Sequence, residues 1–217
     1  MKNLLIKEFK LAASSLSYFF LAFSLMVFIP GYPILVGAFF VCLGIFYSFQ
    51  SGREQNDTIY TALLPLPKRA FVQAKFIFTG TIQGIAFLLM TVLTLVRMFA
   101  MGSSKVYLEN KMMNANFYFL AYVLILFALF NLIFLSGFFK TGYYFGKPFI
   151  IFTVIGFVWV ALAEALHHFP GLEWLNTPAP ENMGRQLAAL CIALLIWTVL
   201  TLLSYRGSVK KFEKIDL

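Results

Sequence analysis

Six apolar runs carry this chain, covering residues 11–29, 33–49, 70–100, 117–139, 148–166 and 186–205. A hydrocarbon core of about 30 Å needs about 20 helical residues, so each run predicts a membrane-crossing helix. No run alternates apolar and polar positions, and barrel strands are never continuously apolar over such lengths. The predicted fold class is therefore all-α: a polytopic membrane protein with one transmembrane domain over residues 1–217 and six transmembrane helices. Pro30-Gly31-Tyr32-Pro33 reads as a tight turn that pairs the first two spans antiparallel, with Pro33 suited to start a helix. The third run would reach about 46 Å at 1.5 Å per residue, so its first turns, with Gln73 and Lys75, are expected to project beyond the apolar core. Residues 101–116 read as a polar loop.

The segments between the runs differ in kind. In residues 1–10, Leu5 and Phe9 share a helical face with Ala12 and Leu16, while Lys2, Lys7 and Lys10 lie elsewhere. That pattern predicts an interfacial helix with snorkelling lysines; an ordinary basic flank of the first span fits equally well. Residues 167–185 mix Phe169, Leu172, Trp174 and Leu175 with Pro170, Pro178 and Pro180. Exposing each large apolar side chain forfeits about 1.5–3 kcal/mol of burial, and the prolines forbid a full span. One or two short interfacial helices are expected there, forming an outer cap in which Glu173 and Glu181 face water.

Composition agrees. The chain is 61% hydrophobic and 12% charged, with a mean hydropathy of +0.84, against about 45–50% apolar and 25% charged in soluble domains. The net charge of +8 does not point to nucleic acid, because the cations lie between apolar runs. Lys2, Lys7, Lys10, Arg53, Lys68, Arg69, Lys75, Lys140, Lys147, Arg206, Lys210, Lys211 and Lys214 fall on one side of a six-span topology. Arg97, Lys105, Lys111 and Arg185 fall on the other. The positive-inside rule then places both termini in the cytosol.

The polar interruption 50–69 is the centre of the pattern. Residues 58–64 can form about two helical turns. Asp57 or Thr58 is expected to cap its start, and Pro65 and Pro67 end it. The turn holding Arg53, Glu54 and Asp57, the short apolar helix, the Leu64-Pro65-Leu66-Pro67-Lys68-Arg69 bend and the following Lys75 together resemble the first cytoplasmic loop of bacterial ABC-2-type transporter permeases. The resemblance implies the transmembrane subunit of an ATP-binding-cassette exporter in the cell membrane, with a partner ABC ATPase carrying ATP and Mg and a second permease. It implies a cytosolic coupling helix on which Ile59, Leu63 and Leu64 fill a groove of the ATPase, with Arg53, Glu54 and Asp57 at the polar rim. It also implies that spans one, two and five line the path, and that a hydrophobic or amphipathic cargo, such as an antimicrobial or toxin-like peptide, is moved outward.

Candidate chemistry within the chain is sparse. No phosphate-cradling G-x-x-x-x-G-K-[ST] pattern occurs, so no cofactor is expected here. Cys42 and Cys191 lie in apolar runs and read as packing residues. Glu164, His167 and His168 share one helical face, which keeps a membrane-embedded enzyme as an alternative, although a third ligand for a metal is missing. Glu164 pairing with Arg97 is the plainer expectation. A secondary carrier would want midplane charge, and none is seen. Asn131 is expected to make an interhelical hydrogen bond, and Gly37, Gly44, Gly80 and Gly84 are candidates for close helix approach.

Overall fold

The computed structural model describes residues 2–177 and 182–215, and every regular element among them is a helix. Pro178, Pro180 and Glu181, which belong to the expected outer cap, lie outside the described residues. Helix α1 (Lys2–Ala12) is bent by 88° from α2 (Ser15–Phe28) at a two-residue break. Ser14 caps α2 by accepting from the Leu16 amide. After a turn with Gly31 at φ 70° come α3 (Val36–Glu54), α4 (Asp57–Ala62) and the long α5 (Lys68–Ala100). Then follow α6 (Lys105–Leu108), α7 (Phe117–Phe138), α8 (Gly146–Leu166), a single 3-10 turn at Glu173–Asn176, and α9 (Met183–Phe212).

Four helices, α5, α7, α8 and α9, are long and apolar enough to cross a membrane, and the bent pair α1–α2 would make a fifth. The expectation of six falls short on this measure for two local reasons. The bend at Ala13 and Ser14 leaves α2 shorter than the 11–29 run, and α3 spends its last turn on Gln50, Ser51, Gly52, Arg53 and Glu54. Most of α2, Phe20–Phe28, is 3-10 helix, whose rise of about 2.0 Å per residue stretches few residues over more depth.

Helix α7 sits at the centre, against α3, α5, α8 and α9, and α3 is enclosed by α2, α5 and α7. The core is built from rings: Phe134 packs on Phe46, Phe49, Phe130 and Phe149, and Phe152 on Phe39 and Phe130. Two glycines bring α2 and α3 together. A Cβ on Gly37 would lie 2.6 Å from the Phe23 carbonyl oxygen, and one on Gly44 would lie 2.8 Å from Cβ of Phe20. Ser17 donates to the Gly44 carbonyl across the same contact. Gly80 and Gly84 meet nothing within 4 Å, so the expected close approach there does not occur within the chain. Midway along α7 a π-helical turn, Asn131–Leu135, widens the helix. It carries a polar hub: Asn131 and Gln83 exchange amide bonds at 3.0 and 3.1 Å, Thr201 accepts from Asn131 at 3.0 Å, and Ser204 donates to the Asn131 carbonyl.

Candidate coupling site

The short helix α4 is positioned by a sharp reversal. Asn56 adopts the left-handed conformation, φ 54°, which turns the chain back between α3 and α4. The expected capping bond is absent: Asn56 holds the cap position without a side-chain bond, and Asp57 is already the first helical residue. Its carboxylate lies at the positive end of the helix but is spent on lysines. Lys7 Nζ donates to Oδ1 at 2.6 Å and Lys75 Nζ to Oδ2 at 3.0 Å.

Glu8 closes the figure. Its Oε1 lies 3.1 Å from Lys7 Nζ and its Oε2 lies 2.7 Å from Lys75 Nζ. Two acids and two bases therefore alternate around a square, drawn from α1, α4 and α5. The Phe71 ring lies 5.3 Å from one ammonium and 5.5 Å from the other, and Phe49 lies 5.4 Å from Lys75. Lys7 also donates to Thr61 Oγ1 at 2.8 Å. The side chains of Glu8 and Lys75 are 1% and 4% exposed, so each charge is tolerable only because the others are present. Burial opposes ionisation of Asp57, but the Lys75 and Lys7 charges outweigh it and hold its carboxyl below the usual range. A cavity beside Asp57 and Lys75 holds about 10 Å³, too little for a ligand. The square is a fastening.

The expected amphipathic face of α1 is rotated. Leu4, Glu8 and Ala12 are the buried positions, while Phe9 packs half-buried on Phe78 at 5.1 Å. Lys75, expected to project past the apolar core, is turned inward. Lys75 stands in apolar sequence, and an isolated charge that folds inward must find partners, but nothing near it in sequence names Glu8 or Asp57 as those partners.

The other face of α4 is bare and apolar. Ile59 is 48% exposed, Leu63 79%, and Tyr60 and Leu64 are exposed with them. Of the expected rim residues, Asp57 belongs to the tetrad. Glu54 is exposed and accepts from Gln50 at 3.1 Å. The Arg53 guanidinium covers Tyr143 at 4.4 Å and Phe145 at 5.2 Å. The far end of the chain joins this site. Phe212 packs on Phe71 and Phe139, and a Cβ on Gly142 would lie 2.8 Å from its ring. Lys68 donates to the Ile215 carbonyl.

At the opposite end of α5, Arg97 donates to the Val27 carbonyl at 2.6 Å and to Asn114 Oδ1 at 2.8 Å, under the Tyr107 ring at 4.1 Å. It does not make the expected pair with Glu164. Glu164 accepts from the Met113 amide at 2.7 Å, and His167 Nε2 lies 3.1 Å from the Lys111 carbonyl. The His168 ring lies 4.1 Å from that of His167. Among the described residues no three His, Cys, Asp or Glu side chains could hold a metal. Residues 101–116 are the expected loop, interrupted by α6 and packed down at Tyr107, Met113, Asn114, Ala115 and Asn116, which are buried. Asn114 and Asn116 staple them to the 3-10 turn through Asn176, Leu175 and Thr177. In that turn Leu172, Trp174 and Leu175 are partly covered, with Trp174 against Tyr118 at 5.3 Å. Glu173 and Phe169 are exposed.

A family model described as ABC-2 family transporter protein matches residues 3–213. No curated protein and no solved structure matches the chain.

Proposed function

Because the chain belongs to the ABC-2 family of transporter permeases, and is a multi-pass membrane protein and a membrane subunit of an ABC transporter, we propose that it takes its power stroke through α4. A separate ABC ATPase, carrying ATP and Mg, docks on Ile59, Tyr60, Leu63 and Leu64. The observation that carries this reading is the two-sidedness of α4. Its apolar face is bare, while its polar face is fastened to α1 and α5 through Asp57. A buried apolar anchor at the centre of an interface dominates binding, and the tetrad would pass the displacement into the membrane domain.

In this reading six helices cross the cell membrane: α2, α3, α5, α7, α8 and α9. The tetrad end, with α1 in the interface and both termini, faces the cytosol, as the charge bias favours. Lys75 and Arg97 lie about 33 Å apart along α5, close to the roughly 30 Å of a hydrocarbon core. The half-exposed face of α3 between α2 and α8 carries Phe40, Phe46 and Tyr47, with Phe20 and Phe23 beside it. This uncharged aromatic strip suits an amphipathic cargo moved outward, and a second permease presenting the same strip would close the path. The test is Leu63→Asp, expected to abolish co-purification with the co-expressed ATPase and ATP-driven transport. Undiminished association and transport would remove α4 as the contact.

A further inference from the structure

Beside the coupling site, a cleft of about 770 Å³ opens between the end of α7 and the start of α8. Gly137 lets the two helices meet behind it, since a Cβ there would lie 2.7 Å from Cβ of Pro148. Ile133, Pro148 and Ile151 form an apolar wall, and Arg53, Lys140, Lys147 and Tyr144 stand around it. Among the described residues no carboxylate lines the cleft. Lys140 and Lys147 make no ion pair among the described residues, and Arg53 meets only the rings of Tyr143 and Phe145. Glu54, the nearest acid in sequence, is engaged by Gln50. Three cations gathered without an anion beside an apolar wall complement one class of ligand, an anionic amphiphile.

We infer that the cleft holds one anionic phospholipid, its phosphate among Arg53, Lys140 and Lys147 and an acyl chain along Ile133 and Ile151. Basic pockets between spans at a cytoplasmic surface take such headgroups, and tyrosine suits the interfacial depth. The lipid is a resident of the fold, not the cargo. Only the choice of leaflet rests on the orientation proposed above.

The experiment is native mass spectrometry of the purified permease in mixed micelles containing phosphatidylglycerol or phosphatidylcholine. One phosphatidylglycerol is expected to persist, and phosphatidylcholine is not. Each basic residue near a headgroup contributes about a five-fold factor, so Lys140→Gln with Lys147→Gln should weaken retention by about thirty-fold. Lys140→Arg with Lys147→Arg should keep the lipid, as should Lys2→Gln with Lys10→Gln on exposed α1. Equal retention of phosphatidylcholine, equal loss in the α1 variant, or displacement by excess inorganic phosphate would overturn the inference. The first means that headgroup charge is not recognised, the second diffuse attraction, and the third a bare anion site. ATPase association is read in the same preparations, so failure of lipid binding and failure of α4 docking are separable.

Discussion

Glu8 and Lys75 show how far single residues can be read. Lys75 stands in an apolar stretch and was expected to project beyond the apolar core, while Glu8, between Lys7 and Lys10, carried no expectation. The structure assigns them to each other, at 2.7 Å, because the partner lies far along the chain and no local spacing announces it. Removing one member of a buried pair costs about 3–5 kcal/mol, so Glu8→Gln should lower the melting temperature clearly. Adding Lys75→Met should recover part of the loss, whereas two independent losses would show the pair to be uncoupled. The pH behaviour follows from Asp57, whose folded-state carboxyl titrates below its unfolded value. Its contribution is complete above about pH 4 and is lost as pH falls through the lower folded value. The melting difference between wild type and Asp57→Asn should therefore be constant from neutral pH to about 5 and shrink below about 4. Glycines give a sharper contrast. Gly44→Ala drives a Cβ into Phe20 and the Ser17 backbone and should destabilise by about 1–3 kcal/mol. Gly84→Ala meets nothing and should be neutral or stabilising by about 0.5–1 kcal/mol, as helix propensity favours alanine. Thermal melts of the two variants decide this.

At the scale of elements, apolar runs were legible and irregular segments were not. The runs locate α5, α7, α8 and α9 closely, since burial in lipid or protein leaves a continuous apolar signature. The bend at Ala13 and Ser14 has no proline or glycine to announce it, and follows from Ser14 and Ser17 bonding to Ser48. Residues 101–116 look polar because asparagine is polar. The amides of Asn114 and Asn116 donate to carbonyls about sixty residues away, a pairing that hydropathy does not record. The outer segment offers a test. Single cysteines at positions 174 and 175 should label slowly and those at 169 and 173 quickly. Adding Asn116→Ala, which frees the carbonyls of Leu175 and Thr177, should speed labelling at 175. Uniform fast labelling from the start would mean that the turn is not held.

For the whole molecule, the core is narrow and the surface apolar. Among the described helices α7 and most of α3 are buried, while α8 and α9 bury little of themselves. Lipid accounts for most of that surface. Under the proposed reading, the aromatic strip on α3 is where a second permease would pack. Cysteines replacing Phe40 and Tyr47 should form permease–permease crosslinks in membranes, and these should change in yield when ATP is added. An active complex with a single permease and no crosslink would leave the strip facing lipid alone.

The tetrad also imposes an order of assembly. The ribosome delivers Lys7 and Glu8 first, Asp57 tens of residues later, and Lys75 last. At about 5–20 residues per second, α1 waits for several seconds with an acid that has only its neighbouring lysine for company. The headgroup layer is a natural berth for it during that interval, and Lys75 ends the wait by drawing α1 and α4 together. Nascent chains stalled before Lys75 leaves the insertion machinery should keep α1 open to protease, and chains stalled beyond it should not.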